Sequence, residues 1–407
     1  TKEWGLTKTE LGVIDSAFSL CYTGFQFPLA IVADALGVHL VLTALILVWS
    51  GGLGLMSVAS TARGMWFAMA LLGGGQSAVY ACLSRIARTW FPENIRTTLQ
   101  GLVGILAGRL GALGSSLLFT TLMLGALGIP WRTAIAILAS AGIALTILFA
   151  LLFRNSPDDA GTSIKNNPTD GDRETEEGGA IQAGPPRLTV TQMLKSVTPR
   201  SFLNLLFLSL QSIFSTFSDN IYSSWIPLFL YEVHSLEFKK MGIYSALPLL
   251  GGALAGLVGG LLNDYLMKAT GNRRWSRVAV AFTGKTLAAG LLLWALRYYD
   301  QPQTFCVFLF FVKLTGDCSL TTAWGVVTDI GGRATASVFA LNNSIAGAGL
   351  IAAPIIFGWL AQHQGWRSVF VAVAAGYVMC ALSWLFIDCT IPVMAEPAED
   401  EKKNDPM

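Results

Sequence analysis

The chain has 407 residues, 53% of them hydrophobic and only 13% charged, where an average soluble domain is about 25% charged. Water cannot solvate so large a mass through so little charge, so most of the surface must face lipid, and the bilayer is the first partner the composition implies. A net charge of +2 with no basic stripe excludes a nucleic-acid surface, and six cysteines scattered through apolar stretches without CxxC spacing point to neither a disulfide framework nor a metal site.

The opening TKEWGLTKTE is polar and begins at Thr1 with no cleavable signal, so the true N-terminus is expected to lie upstream. A bilayer core takes about 20 apolar residues per helix. By that measure eleven spans follow, at 11–36, 38–60, 64–90, 96–124, 130–153, 202–232, 239–266, 277–298, 303–329, 334–361 and 366–388. Their long runs of Gly, Ala, Leu and aromatics do not alternate as strands do, and they read as helices that satisfy their own backbone. Residues 154–200 are poor in apolar side chains and rich in Pro, Gly and acid, a disordered linker. The chain thus divides into an N-terminal helical bundle (1–153), the linker (154–200), a C-terminal helical bundle (201–388) and an acidic tail (389–407). With linker and tail on one side, 16 Lys and Arg lie there and eight on the other, the bias of a multi-pass cell-membrane protein with a cytoplasmic C-terminus.

The bundles echo each other. Asp34 in IVADALG answers Asp264 in LLNDYL, Arg96 answers Arg333, and PWR at 130–132 answers GWR at 365–367, with offsets of 230, 237 and 235 residues. A near-constant offset marks an internal repeat, one of the transporter architectures, and by it the first bundle is one helix short.

On these residues the chain resembles the major facilitator superfamily. Asp34 followed by Gly37 resembles its acidic-glycine signature, with Asp264 as the second copy. Ala35 and Tyr265 stand where family members usually carry Arg or Lys, which leaves GNRRWSR at 271–277 as the cationic partner of Asp264. Within the superfamily, SRIARTWFPENIR at 84–96, YSSWIPLFL at 222–230, GIYSALPLLGG at 242–252 and AWGVVTDIGGRATASVF at 323–339 together resemble the anion:cation symporter family. The resemblance implies an all-α polytopic membrane protein with the major facilitator fold: two six-helix bundles, eleven of the twelve helices being present. The first helix, with the substrate-binding arginine it commonly carries, is the missing one. It also implies a monomer without cofactor that moves a small organic anion, such as a sugar acid, by symport with H⁺ or Na⁺ through alternating access.

An ionisable side chain at mid-membrane depth costs several kcal/mol unless paired or wetted, so each is a candidate. Arg109 lies 13 residues beyond Arg96, about 20 Å along a helix and so near the midplane. Its planar fork matches a carboxylate, or else pairs with an acid on a neighbouring helix. Asp219 in STFSDNIYSSW is a proton carrier or a partner of Arg109 or Lys313. Lys313 and Asp317, at i and i+4, neutralise each other or exchange partners when substrate arrives. Lys285, eight residues after Arg277, is expected to snorkel to the cytoplasmic interface.

Gln76 and Tyr80, with Ser84, form a polar stripe ending at Arg85 and Arg88, and the resemblance places an acid where Gln76 stands. Tyr22, Gln26, Tyr222, Asn342 and Asn343 complete the substrate-binding candidates around Arg109, each on its own more often an interhelical hydrogen bond than a ligand. Asp219, Lys313, Asp317, Asp34 and Asp264 form the coupling or gating set. The sequence has no GxxxxGK[ST], HExxH or GxSxG motif and no paired histidines, so an enzyme is not expected. Two other readings stay open: exchange of organic phosphates for phosphate, which needs a second cation near Arg109, and a non-transporting sensor that signals through the linker or the tail.

Overall fold

A computed structural model of the chain describes residues 5–91, 108–155, 198–331 and 335–393; Arg96, Arg333, nearly all of the linker and most of the tail lie outside the described residues. Within the described residues, eleven helical spans are long and apolar enough to cross a membrane. The first bundle contains α1 (Lys8–Leu36), α2 (Val38–Val58), α3 (Ala62–Gln76) continued by α4 (Val79–Trp90), α5 (Gly108–Ser115) continued by a π-helical stretch (Ser116–Ala126), and α6 (Trp131–Leu152). The second contains α7 (Pro199–Asn220), a π turn (Ile221–Trp225) and α8 (Ile226–His234) as one span, then α9 (Phe238–Thr270), α10 (Arg273–Ala295), α11 (Pro302–Gly316) with α12 (Cys318–Gly331), α13 (Thr335–His363) and α14 (Trp366–Trp384).

Local chemistry sets the helix ends. Thr7 and Glu10 form a reciprocal capping box at the start of α1. Thr198 caps α7 just ahead of Pro199, whose missing N–H costs nothing in a first turn. Gly37, at φ +88°, makes the reversal from α1 into α2 that a side chain would resist. Glycines then let the helices touch: Gly73 sits against the Phe18 backbone carbonyl and Gly251 against that of Phe310.

Two seams join the bundles: α1 runs along α13, and the π-helical stretch runs along α9. Several close contacts gather at the end away from the linker. There Gly12 meets the Pro354 carbonyl and Gly358 the Lys8 carbonyl, Ser116 Oγ donates to Gly242 O at 3.1 Å, and Thr9 Oγ1 donates to Gln362 Oε1 at 2.7 Å. Lys8 Nζ pairs with Glu232 at 2.8 Å, and Glu232 accepts the Trp366 indole N–H at 3.1 Å. Under this closed end, Phe229 packs edge-on against Phe370 (5.0 Å) and Trp366 (5.5 Å), fixing α8 to α14. Toward the linker, Leu36, Leu261 and Tyr265 stand exposed.

Candidate substrate and coupling site

The charged residues converge at interruptions of the helices. Asp219 precedes the π turn, and Asp317 sits between α11 and α12, the kind of break that positions polar groups inside a membrane. Lys313, fully buried, donates to Asp219 Oδ1 at 2.8 Å and to Asp317 Oδ1 at 2.7 Å. Arg109, from the other bundle, reaches Asp219 Oδ2 at 3.4 Å and Asp317 Oδ2 at 2.9 Å. The latter contact is an ion pair without hydrogen-bond alignment, which leaves Asp317 Oδ2 without a donor. Two cations and two carboxylates thus form a ring that bridges the bundles. A buried pair is costly to break one-sidedly, so the ring persists unless another anion replaces a carboxylate.

Of the polar candidates, Asn343 Nδ2 donates to Gln26 Oε1 at 3.1 Å, a link between the bundles. Asn342 Nδ2 donates to Ser212 Oγ at 2.9 Å. Asn342, Asn343 and Asp219 line one cavity of about 100 Å³ together with Ser212, Ser215 and Ser319. Tyr222 is buried behind this ring, its hydroxyl accepting from Tyr377 at 3.2 Å and its face under Lys313 Nζ at 5.0 Å. Tyr22 stacks on Phe18 at 5.8 Å. Tyr80 is exposed, its hydroxyl 3.0 Å from where a Cβ on Gly108 would stand, beside Arg109. The stripe expected along one helix is interrupted, because Ser77 and Ala78 break the span after Gln76, where three glycines cross α1 and α2 closely. Gln76 is half-buried and lines neither cavity. The side chains of Ser84, Arg88 and Asp34 lie outside the described residues, although Asp34 itself belongs to α1.

Two expectations need correction. Lys285 does not snorkel: it is 1% exposed, and its Nζ donates to Ser215 Oγ at 2.9 Å and lies 5.0 Å from the Tyr377 ring. Its helix packs between α11 and α14, which turns that face inward and away from any interface. GNRRWSR is not the partner of Asp264. Arg273 and Arg277 pair with Asp329, and Arg274 with Asp388 at 3.2 Å, while Asp264 is exposed and unpaired among the described residues.

Sequence reasoning also missed Asp15. It borders a larger cavity of about 520 Å³ near the closed end, alongside Ser224 and Trp225. The signal was an acid at the fifth residue of the span at 11–36. The Lys8–Glu232 pair was missed as well, because Lys8 precedes the span at 11–36 and Glu232 closes the span at 202–232, far apart along the chain.

Comparisons with known proteins bear on the family and the fold. The family model described as Major Facilitator Superfamily matches residues 1–295 and again 272–406. A probable sulfoacetate transporter of Cupriavidus necator is 28% identical over 99% of this chain and 90% of its own. A probable galactarate/D-glucarate transporter of Escherichia coli K12 is 24% identical over 95% and 87%, and a hexuronate transporter of Bacillus subtilis 168 is 24% identical over 98% and 90%. Among solved structures, a bacterial homologue of the human lysosomal transporter Spinster, inward-facing and unoccupied, superposes with TM-score 0.68 at 15% identity over 94% of this chain and 87% of its own. A D-xylose-proton symporter does so with TM-score 0.68 at 14% identity over 95% and 90%. The fold is theirs.

Proposed function

Because the chain belongs to the Major Facilitator Superfamily, a family of transporters and not of enzymes, we propose that it is a secondary active transporter of a small organic anion, working by alternating access. The observation that carries this reading is the ring of Arg109, Asp219, Lys313 and Asp317, which joins the two bundles through charges that a carboxylate or sulfonate competes for. The relatives, named for sulfoacetate, galactarate or hexuronate, point to the same substrate class. An arriving anion takes the Arg109 fork and frees Asp219 or Asp317, which then accepts a coupling H⁺ or Na⁺; loss of the bridge releases one bundle from the other. Asn342 and Asn343 border the path, with Gln26 linked to it, and Asp34 and Asp264 are placed at the end that closes in the opposite state. The linker and the C-terminus are cytoplasmic, so the described state is closed to the outside.

A phosphate exchanger is less well supported. Its second cation, Lys313, is enclosed between two carboxylates and not presented on the cavity wall. The test is uptake of labelled galactarate, glucuronate and sulfoacetate by proteoliposomes under an imposed pH or Na⁺ gradient. Gradient-driven accumulation of at least one is expected; accumulation of none under either gradient overturns the reading.

A further inference from the structure

Lys285 has no carboxylate within ion-pair distance among the described residues, although it is as buried as Lys313 and within electrostatic range of Asp219. The buried groups therefore do not balance. Arg109, Lys285 and Lys313 supply three positive charges against the two negative charges of Asp219 and Asp317, an excess of one. Such an excess is expensive in a low-dielectric interior and is not a packing device, since a neutral side chain would fill the volume at lower cost.

The way this charge meets the cavity is specific. Lys285 donates to Ser215 Oγ, and Ser215 lines the cavity of about 100 Å³. A hydroxyl whose oxygen is occupied by an ammonium keeps its own proton as a polarised donor. The other hydroxyls here are committed: Ser319 to the Gly316 carbonyl at 2.8 Å, Thr216 to the Ala346 carbonyl at 2.7 Å, and Ser212 to Asn342. The Ser215 proton has no acceptor among the described residues. The cavity is large enough for an anionic head group, not for a whole sugar acid.

We propose that Lys285 is the charge-selecting residue of the transporter: it gives the site one uncompensated positive charge, which the substrate's carboxylate or sulfonate neutralises by accepting from Ser215 in this cavity. The inference rests on the organic-anion reading above. It assigns Lys285 a positioning role, exerted through Ser215 and through the field, without direct contact with substrate. A monoanion thus offsets the excess before the freed carboxylate takes up its coupling cation.

The test measures binding of galactonate, galactarate and the uncharged methyl ester of galactonate to the purified full chain, with melting temperature followed in parallel. Lys285→Gln is expected to weaken galactonate binding at least about tenfold while leaving the ester unchanged, and Lys285→Arg to stay within about threefold of the parent. The double variant Lys285→Gln with Asp317→Asn restores the excess of one and is expected to recover part of the lost affinity. If Lys285→Gln fails to fold, Ser215→Ala carries the test, with a similar loss for galactonate alone. Equal binding of galactonate by parent and Lys285→Gln (or Ser215→Ala), or equal loss for galactonate and ester, overturns the proposal. Binding of neither acid by the parent overturns the organic-anion reading instead.

Discussion

The bundles on either side of the linker contribute unequally to the charged cluster. Asp219, Lys285, Lys313 and Asp317 belong to the second bundle, and the first contributes Arg109. The second bundle holds several ionisable groups with partners on neighbouring helices; the first presents a single cation of the ring across the seam. The cluster is thus preorganised on the second bundle and completed by the first.

Removing the contribution of the first bundle breaks this division most directly. Arg109→Ala is expected to lower anion uptake about 100-fold, with Arg109→Lys retaining a measurable fraction; unchanged uptake by the alanine variant makes the bridge irrelevant to transport. Next comes the platform itself. Lys313→Met leaves two carboxylates buried with only Arg109 and is expected to cost about 3–5 kcal/mol in thermal unfolding, most of it regained when Asp317→Asn is added. A smaller contrast separates the packing of the bundles. Gly251→Ala forces a methyl into the Phe310 carbonyl and should lower the melting temperature by the equivalent of about 1–3 kcal/mol, whereas Gly54→Ala, which meets nothing within 4 Å, should stay within about 1 kcal/mol of the parent. Equal effects at both glycines would remove the contrast between these two positions. The smallest effect is at the seam. Lys8→Ala removes a partly exposed ion pair worth about 0.5–1 kcal/mol and should raise labelling of a cysteine placed at the closed end two- to fivefold.

The spans were legible because hydropathy is a local property: each run that a bilayer needs lies within one stretch of chain. The ionisable members of the ring were legible too, since a charge inside such a run has to be explained. Most of their pairing was legible as well, Asp219 with Arg109 or Lys313 and Lys313 with Asp317, but not the contact that closes the ring. Arg109 and Asp317 are 208 residues apart, and only helix packing brings them to 2.9 Å. Lys285 was misplaced because its nearness to Arg277 along the chain suggested an interface, while the fold turns that face toward Ser215 and Tyr377. The Gln76 and Tyr80 stripe assumed an unbroken helix, and the glycines beside Gln76 that permit the close crossing also allow the break. GNRRWSR was rightly seen as seeking an acid, but the acids it meets, Asp329 and Asp388, come from the ends of other spans.

The seam at the closed end also ties the molecule to its medium. Lys8 and Glu232 keep about a quarter and a fifth of their side-chain surface accessible, so dissolved ions reach them, whereas Lys313 and Asp317 beneath are buried. Screening lengths shrink from about 10 Å at 0.1 M to about 3 Å at 1 M ionic strength. The same clasp that a dilute medium tightens is slackened by brine, with no ligand or modification involved.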